Sequence, residues 1–540
     1  MAYAPANQYP KPITVQSGPW SGMRDALDPT AAAADKVTYA QNMVIAPGPQ
    51  GRAYIGRPGF EAMGAGTSPL GPSASRRVGQ AIKTWTRQNG SRLTVAVVGG
   101  NVYTWDPPTD VWTHALTDAH LAAAGVVLSQ SVRVALVPFY DGQDRLVVSD
   151  GVNTPWMWTG VVGGGITKLT NAPIFYGPPV VYYGKLVGIK ANERNTIVWS
   201  EEGLPNEGYE ATIGNRTYVN AWTVGQNAGA DRVFALAATN EALVVFRETS
   251  ITRVSGAIAS DFKTAGTQSD VSSRIGTRSP WSVDVLDRGI AFLDSEGRPT
   301  VLGPDGSIAE IWRDARETIK RIPNATLENA VGIAIPSCHA FLFGVADVGE
   351  TNPNLWLAFD IESFTFQSVW VGFTAGAVGN IWSAQNTRRW AFLAPSSGMA
   401  YRHGCLENGP WSDAGVAIEH IVRAQFFFRD LTAESRIASI EWGLNSPVDV
   451  TVNITNETSR GQGSVQTANV VTAFGSVYDV AEYDVDTYAY ETRDQRVKVG
   501  RLEYGRWCRP EVRHSGLNEI FSVMDCRVMA RERRSAPNVP

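Results

Sequence analysis

Apolar runs of four to six residues recur along most of this chain, each closed by a Gly/Asn/Asp/Ser turn and followed by a second apolar run. The unit reads LTVAVVGGNVYTW at 93–105, RLVVSDGVNTPWMW at 145–158 and KLVGIKANERNTIVW at 185–199. It continues as ALVVFRETSITRVSG at 242–256, GIAFLDSEGRPTVLG at 289–303, a longer version over 339–360, and RWAFLAPSSGMAYRHG at 389–404. Short apolar runs separated by such turns predict β-hairpins. Their recurrence at roughly fifty residues predicts stacked, similar units, and a four-stranded propeller blade needs about 40–50 residues. The expected fold is all-β: a β-propeller of six or seven blades with an extended N-terminal arm and a C-terminal antiparallel β-sheet domain.

The pattern divides the chain. Residues 1–75 are rich in Pro, Gly and Ala, lack periodicity, and are expected to form an extended arm that lies on other surfaces, with a short helix after Pro29. The hairpins occupy 76–408, with helical insertions expected at 113–125 and 307–323. In the second of these, Ile308, Ile311, Trp312, Ala315 and Ile319 fall at helical spacing. Ser307 and Glu310 match a capping box, and Pro323 supplies a stop. After NGPWSDAG the pattern changes to longer alternating strands at 416–428, 435–444, 448–456, 477–491, 495–507 and 518–532. Period-2 alternation marks strands with one wet face, which predicts a β-sandwich-like domain over 409–535 and a flexible tail at 536–540.

Composition changes this picture little. The 52 Gly, 30 Pro, 17 Trp and 17 Tyr suit many short strands joined by tight turns. Charged residues make up 18%, below the usual ~25%; burial of surface against partner subunits would account for that, as would β-rich composition alone. A net charge of −5 gives no overall nucleic-acid footprint. The first residues lack the basic start and apolar run of a signal peptide, and no apolar stretch approaches the ~18 residues of a membrane span. The four cysteines, Cys338, Cys405, Cys508 and Cys526, form no CxxC pair, so free thiols in a reducing cytosol are expected.

Candidate chemistry is sparse. No P-loop, HExxH or GxSxG motif occurs, and GAGTSPLG at 64–71 lacks the strand-to-helix setting of a phosphate loop. His403 and Cys405 would share a strand face, Cys338 precedes His339, and Cys508 and His514 flank Pro510, but these spacings do not predict four converging metal donors. SDGVNTPW at 149–156 loosely resembles a sialidase Asp-box, yet a turn capped by Asp150 explains it more simply. Kelch glycine doublets and Trp-Asp pairs do not recur in every repeat, which argues against those scaffolds. No catalytic, cofactor or metal site is therefore expected.

Two stretches resemble the tail nozzle, or tail tubular, proteins of short-tailed bacteriophages. The first, over 17–62, carries Asn42, Gly51, Arg57, Pro58, Gly59 and Phe60. The second, over 236–345, carries Leu243, Val245, Phe246, Glu248, Ser250, Gly276, Thr277, Ser279, Gly289, Phe292, Leu293 and Gly297. The resemblance implies a structural virion protein without enzymatic activity or cofactor. It implies a homo-hexameric ring at the distal tail that continues the DNA ejection channel and adjoins a tail adaptor ring. Tail fibres or spikes would attach to it, viral DNA would pass without specific binding, and no stable membrane insertion is implied. The competing expectation is a propeller-fold tail protein that degrades glycans or binds a receptor. Within the first stretch, Arg57-Pro58-Gly59 is expected to form a tight turn with positive φ at Gly59.

Overall fold

The structure is a computed structural model that describes residues 13–25, 35–48, 51–64, 69–213, 216–224, 231–256, 258, 267–384, 387–406, 409–427, 435–470 and 495–532. The chain is all-β. Each of the seven sequence hairpins forms the two middle strands of its own antiparallel sheet. The first sheet orders Gly79–Thr86, Arg92–Val98, Asn101–Asp106 and Val111–Leu116. Five more follow in chain order, opened by Ala135–Tyr140, Phe175–Tyr182, Val233–Ala238, Asp284–Leu286 and Val331–Ile335.

The seventh sheet takes its fourth strand from far away. Ala377–Trp382, Arg388–Leu393 and Ala400–His403 are completed by Phe60–Ala62, with His403 opposite Phe60. The first strand of each sheet lies beside the first strand of the next, and that of the seventh lies beside that of the first, so the series closes on itself. A separate buried core fills six of the seven junctions, and that between sheets five and six opens into the large core shared with the arm and the C-terminal sheets. Trp85, Trp156 and Trp158 fill the one between sheets one and two, Trp199 that between three and four, and Trp356, Trp370 and Trp390 that between six and seven. Burying an aromatic ring of this size contributes several kcal/mol by area alone, roughly 25 cal/mol per Å².

The segment expected to be an extended arm is woven into the rest of the chain. Ile13–Ser17 pairs with Ser522–Glu532, and Met43–Gly48 and Gly51–Gly56 form a hairpin on the same sheet. Tyr39–Gln41 joins the outer strand of the sixth sheet, Phe366–Trp370, to His420–Arg423. Beyond residue 410, one sheet is built on Ser435–Asn445, Gln495–Gly505 and Ser522–Glu532, and another on Val450–Thr458 and Cys508–His514. The two share a core in which Trp442, Ile440, Val452, Ile454 and Val512 are almost wholly buried. The helix expected after Pro29 and the strand expected over 477–491 lie outside the described residues.

The helix expected over 307–323 is not one element. Ile308–Glu310 is the fourth strand of the fifth sheet, paired with Pro299–Leu302 across the Gly303–Gly306 turn. A 3-10 turn, Trp312–Ala315, and a single α-turn, Arg316–Ile319, follow. Ser307 directs its hydroxyl to Asp305 at 2.6 Å instead of capping a helix. The apolar stripe is split: Ile311 and Ile319 pack on the large core, while Ile308 packs between sheets four and five. At 113–125 only Asp118–Ala123 is helical, because Val111–Leu116 is captured by its hairpin partner; Gly125 follows the helix at φ 64°.

Candidate functional site

The residues of the first resemblance converge. The guanidinium of Arg57 is fully buried and makes five hydrogen bonds. Its Nε donates to Asn42 Oδ1 at 3.0 Å, and its Nη1 donates to the Pro58 carbonyl at 3.1 Å and to Asp413 Oδ1 at 2.9 Å. Its Nη2 reaches Asp413 Oδ2 at 2.5 Å and the Val371 carbonyl at 3.3 Å. Asp413 thus receives the planar fork on both oxygens, the geometry that lysine cannot reproduce. The rings of Phe60, Trp370 and Phe373 lie 5.2, 5.6 and 5.2 Å from the guanidinium carbon. Asn42, at φ 54°, also donates to the Glu419 carbonyl and accepts from the Val371 amide. One buried cation therefore holds together the arm, the sixth sheet and the strand that follows the seventh.

Gly59 does not adopt the positive φ expected for a turn. A Cβ there would stand 2.0 Å from the Ser412 carbonyl oxygen, so the glycine is required by close approach of two backbones. Phe60 packs edge-on against Trp390, with centroids 5.1 Å apart, and Gly51 begins the strand that pairs back to Gly48.

Two histidines flank the cluster. His403 and His420 are both fully buried, and burial first and the Arg57 charge second push each down to about 3. Both are neutral at physiological pH. His403 stacks on Trp370 at 5.6 Å, and His420 stacks on His514 at 6.1 Å. Cys338 Sγ lies 3.9 Å from His403 Nδ1, but burial pushes that thiol up to about 12, which removes it as a nucleophile.

The second resemblance maps to the junction of sheets four and five. Glu248 pairs with Arg278, Nε to Oε1 at 3.0 Å, and the Glu248 carbonyl accepts from the Ser295 hydroxyl. Thr277 donates its hydroxyl to the Leu293 carbonyl at 2.6 Å, and its amide bonds to the Arg247 carbonyl. A Cβ on Gly276 would stand 2.1 Å from that same carbonyl oxygen. Gly297, at φ 77°, sits in the turn over Leu327. Gly297→Ala should cost about 1–2 kcal/mol from the left-handed backbone and the Leu327 contact together, read as a lower urea midpoint with unchanged slope.

Nothing local in the sequence marks Asp413, Val371, Trp370 or His420 as neighbours of Arg57. Asp413 lies 356 positions away, in the segment that reads as a domain boundary. Asp150 behaves as its turn chemistry predicts, accepting from the amides of Ser129, Val152 and Asn153. Among the described residues, no three His, Cys, Asp or Glu side chains converge with metal-binding geometry. Chelator treatment is accordingly expected to leave the melting temperature unchanged; a drop of several degrees would reveal a structural metal.

A bore runs along the seven opening strands. Residues at their starts line one compartment of about 440 Å³, the middle residues line one of about 460 Å³, and the later residues one of about 420 Å³. No described helix is long and apolar enough to cross a membrane.

No family model and no curated protein matches this chain. Among solved structures it is similar to the extracellular domain of the hybrid two-component system BT4673 of B. thetaiotaomicron, at 9% identity and a TM-score of 0.40. That match covers 64% of this chain and 39% of the other. A structure of BBS1N in complex with ARL6DN matches at 10% identity and a TM-score of 0.40, over 65% of this chain and 99% of that one. At these values the likenesses assign neither family nor function. The chain spans well under half of the first of these proteins.

Proposed function

We propose that this chain is a structural protein of a tailed-bacteriophage tail, a seven-bladed β-propeller protomer of a homo-hexameric nozzle ring at the distal end. The seven sheets that close on themselves, with a separate core at six of their junctions, support the propeller reading. The observation that carries the functional reading is the place of Asn42, Arg57, Pro58, Gly59 and Phe60. The stretch that resembles nozzle proteins is the stretch that locks the arm, two blades and the C-terminal sheets into one stiff body. A ring that transmits force during DNA ejection needs such a protomer. We assign the DNA channel to the ring and not to the blade bore, whose middle compartment holds only about 460 Å³.

Because the described part of the arm pairs within its own chain, the sheets after residue 410 are the better candidates for contacts between subunits, the adaptor ring and the fibres. Heterologous contacts that close by sixfold rotation would build the ring. Cryo-electron microscopy of the virion tests this. Six copies around the tail axis are expected, and a lone copy, or one away from the axis, would overturn the reading.

A further inference from the structure

The bore is unevenly charged. Its middle and far compartments are lined by three cationic side chains, Lys83, Arg133 and Arg388, and by one carboxylate, Asp284. They come from four different sheets, so the closed arrangement alone brings them together. Lys83 and Arg388 are exposed to the cavity. Among the described residues neither forms an ion pair with Asp284, whose oxygens accept from the Val285 and Ala334 amides at 3.0 and 3.3 Å. Lys83 spends one donor on the Leu136 carbonyl at 3.2 Å, and Arg133 spends its Nε on the Gly376 carbonyl at 2.9 Å. Nη1 of Arg133 has no hydrogen-bond partner. Asn380 sits beside Arg388; with its amide turned so that both ends are satisfied, it accepts from Nη2 at 2.8 Å and donates to the Ala334 carbonyl.

We propose that the Lys83–Arg388 end of the bore binds a small multivalent oxyanion, a phosphate-bearing or polycarboxylate molecule. The compartments fall in the ~300–1,000 Å³ range of ligand cavities. Two cations with unspent donors on the neighbouring first and seventh sheets line one compartment and form a clamp, and an oxyanion has the several acceptor oxygens that such a clamp requires. Enclosure by protein strengthens the attraction relative to open water. It also lowers the Lys83 pKa, with the Arg388 charge adding to the effect, and raises Asp284 to about 6. Asp284 limits affinity, because its carboxylate repels the same ligand. This site is independent of the nozzle reading; either can fail alone.

The test uses the full chain at pH 8, titrated with inorganic phosphate, tripolyphosphate and citrate in separate calorimetric experiments against chloride at matched ionic strength. Saturable binding of at least one oxyanion is expected. Arg388→Gln, at an exposed position, should weaken it about tenfold or more, and Lys83→Met should act alike. Asp284→Asn should tighten it about threefold or more, since it removes a like charge and keeps an acceptor for one of the two amides. Phosphate without citrate would identify a phosphate-bearing ligand, and the reverse a polycarboxylate. Absence of saturable binding by all three probes, unchanged binding in Arg388→Gln, or weaker binding in Asp284→Asn would each overturn the proposal.

Discussion

Replacing Arg57 with Met should destabilise the protein by about 3–5 kcal/mol, enough to send much of it into aggregates on expression. The side chains are similar in volume, so lost packing is the smaller part. The larger part is what stays behind: Asp413 loses its bidentate partner, and Asn42 Oδ1 and the Val371 carbonyl lose a donor. A buried acceptor left unmade costs about 1–3 kcal/mol, more when charged. The double variant Arg57→Met/Asp413→Leu should recover part of the loss, because it removes the orphaned charge. Urea unfolding of the four forms gives the coupling energy directly. Equal stability of Arg57→Met and the parent would refute the role assigned to this cluster.

A second large effect concerns acid. His403 takes up a proton in the unfolded chain near 6.5 but in the folded chain only near 3. Above 6.5 both states are neutral and the full stability is present. As the pH falls from 6.5 towards 3 the unfolded state gains a proton that the folded state refuses, so stability is lost by about 1.4 kcal/mol per pH unit. His420 behaves in the same way. Asp284 and Asp294, raised by burial to about 6, act in the opposite sense between 6 and 3.8, because the folded state holds their protons more tightly. The raw stability curve therefore mixes both, and the decisive quantity is a difference. His403→Phe keeps a flat aromatic ring among Phe60, Trp370 and Trp390. Relative to the parent it should gain about 4–5 kcal/mol on going from pH 6.5 to 3. Parallel curves would show that His403 is not the buried neutral group described.

The seven hairpins were legible because both strands and the turn lie close together, within about fifteen residues in six of them and 22 in the sixth, and carry their own pairing signal. Their central positions in seven sheets follow from that locality. The segment 307–323 misled because Ile308, Ile311 and Ile319 satisfy helical spacing while packing, half-buried, against two different cores. The Gly303-Pro304-Asp305-Gly306 turn was the competing signal, and hairpin pairing with Pro299–Leu302 prevailed over helical propensity. The weave of residues 13–64 was invisible because its partners are remote: Tyr54 donates its hydroxyl to the Gln367 carbonyl, 313 positions on. Asn42, Arg57 and Phe60 were singled out through resemblance, but their partners Asp413 and His420 leave no local trace. At Gly59 the need for glycine comes from two backbones in contact and not from the positive φ of a turn, a cause that no local pattern carries.

The strand Phe60–Ala62, which completes the seventh sheet, imposes an order on synthesis. Glu61 and its ion-pair partner Arg402 are 341 positions apart, and the strand leaves the ribosome long before Arg388–Leu393 and Ala400–His403 exist. At about 5–20 residues per second the wait is roughly 20–70 s. Throughout it an apolar edge containing Phe60 stays unpaired, while sheets one to six can assemble behind it as they emerge. Closure of the series therefore waits for the seventh sheet, and the arm that carries the strand waits longer still, for Ser522–Glu532. A cut between residues 64 and 79 would sever the strand from the first sheet while leaving it anchored through Arg57 and Asp413, without touching any sheet's own hairpin.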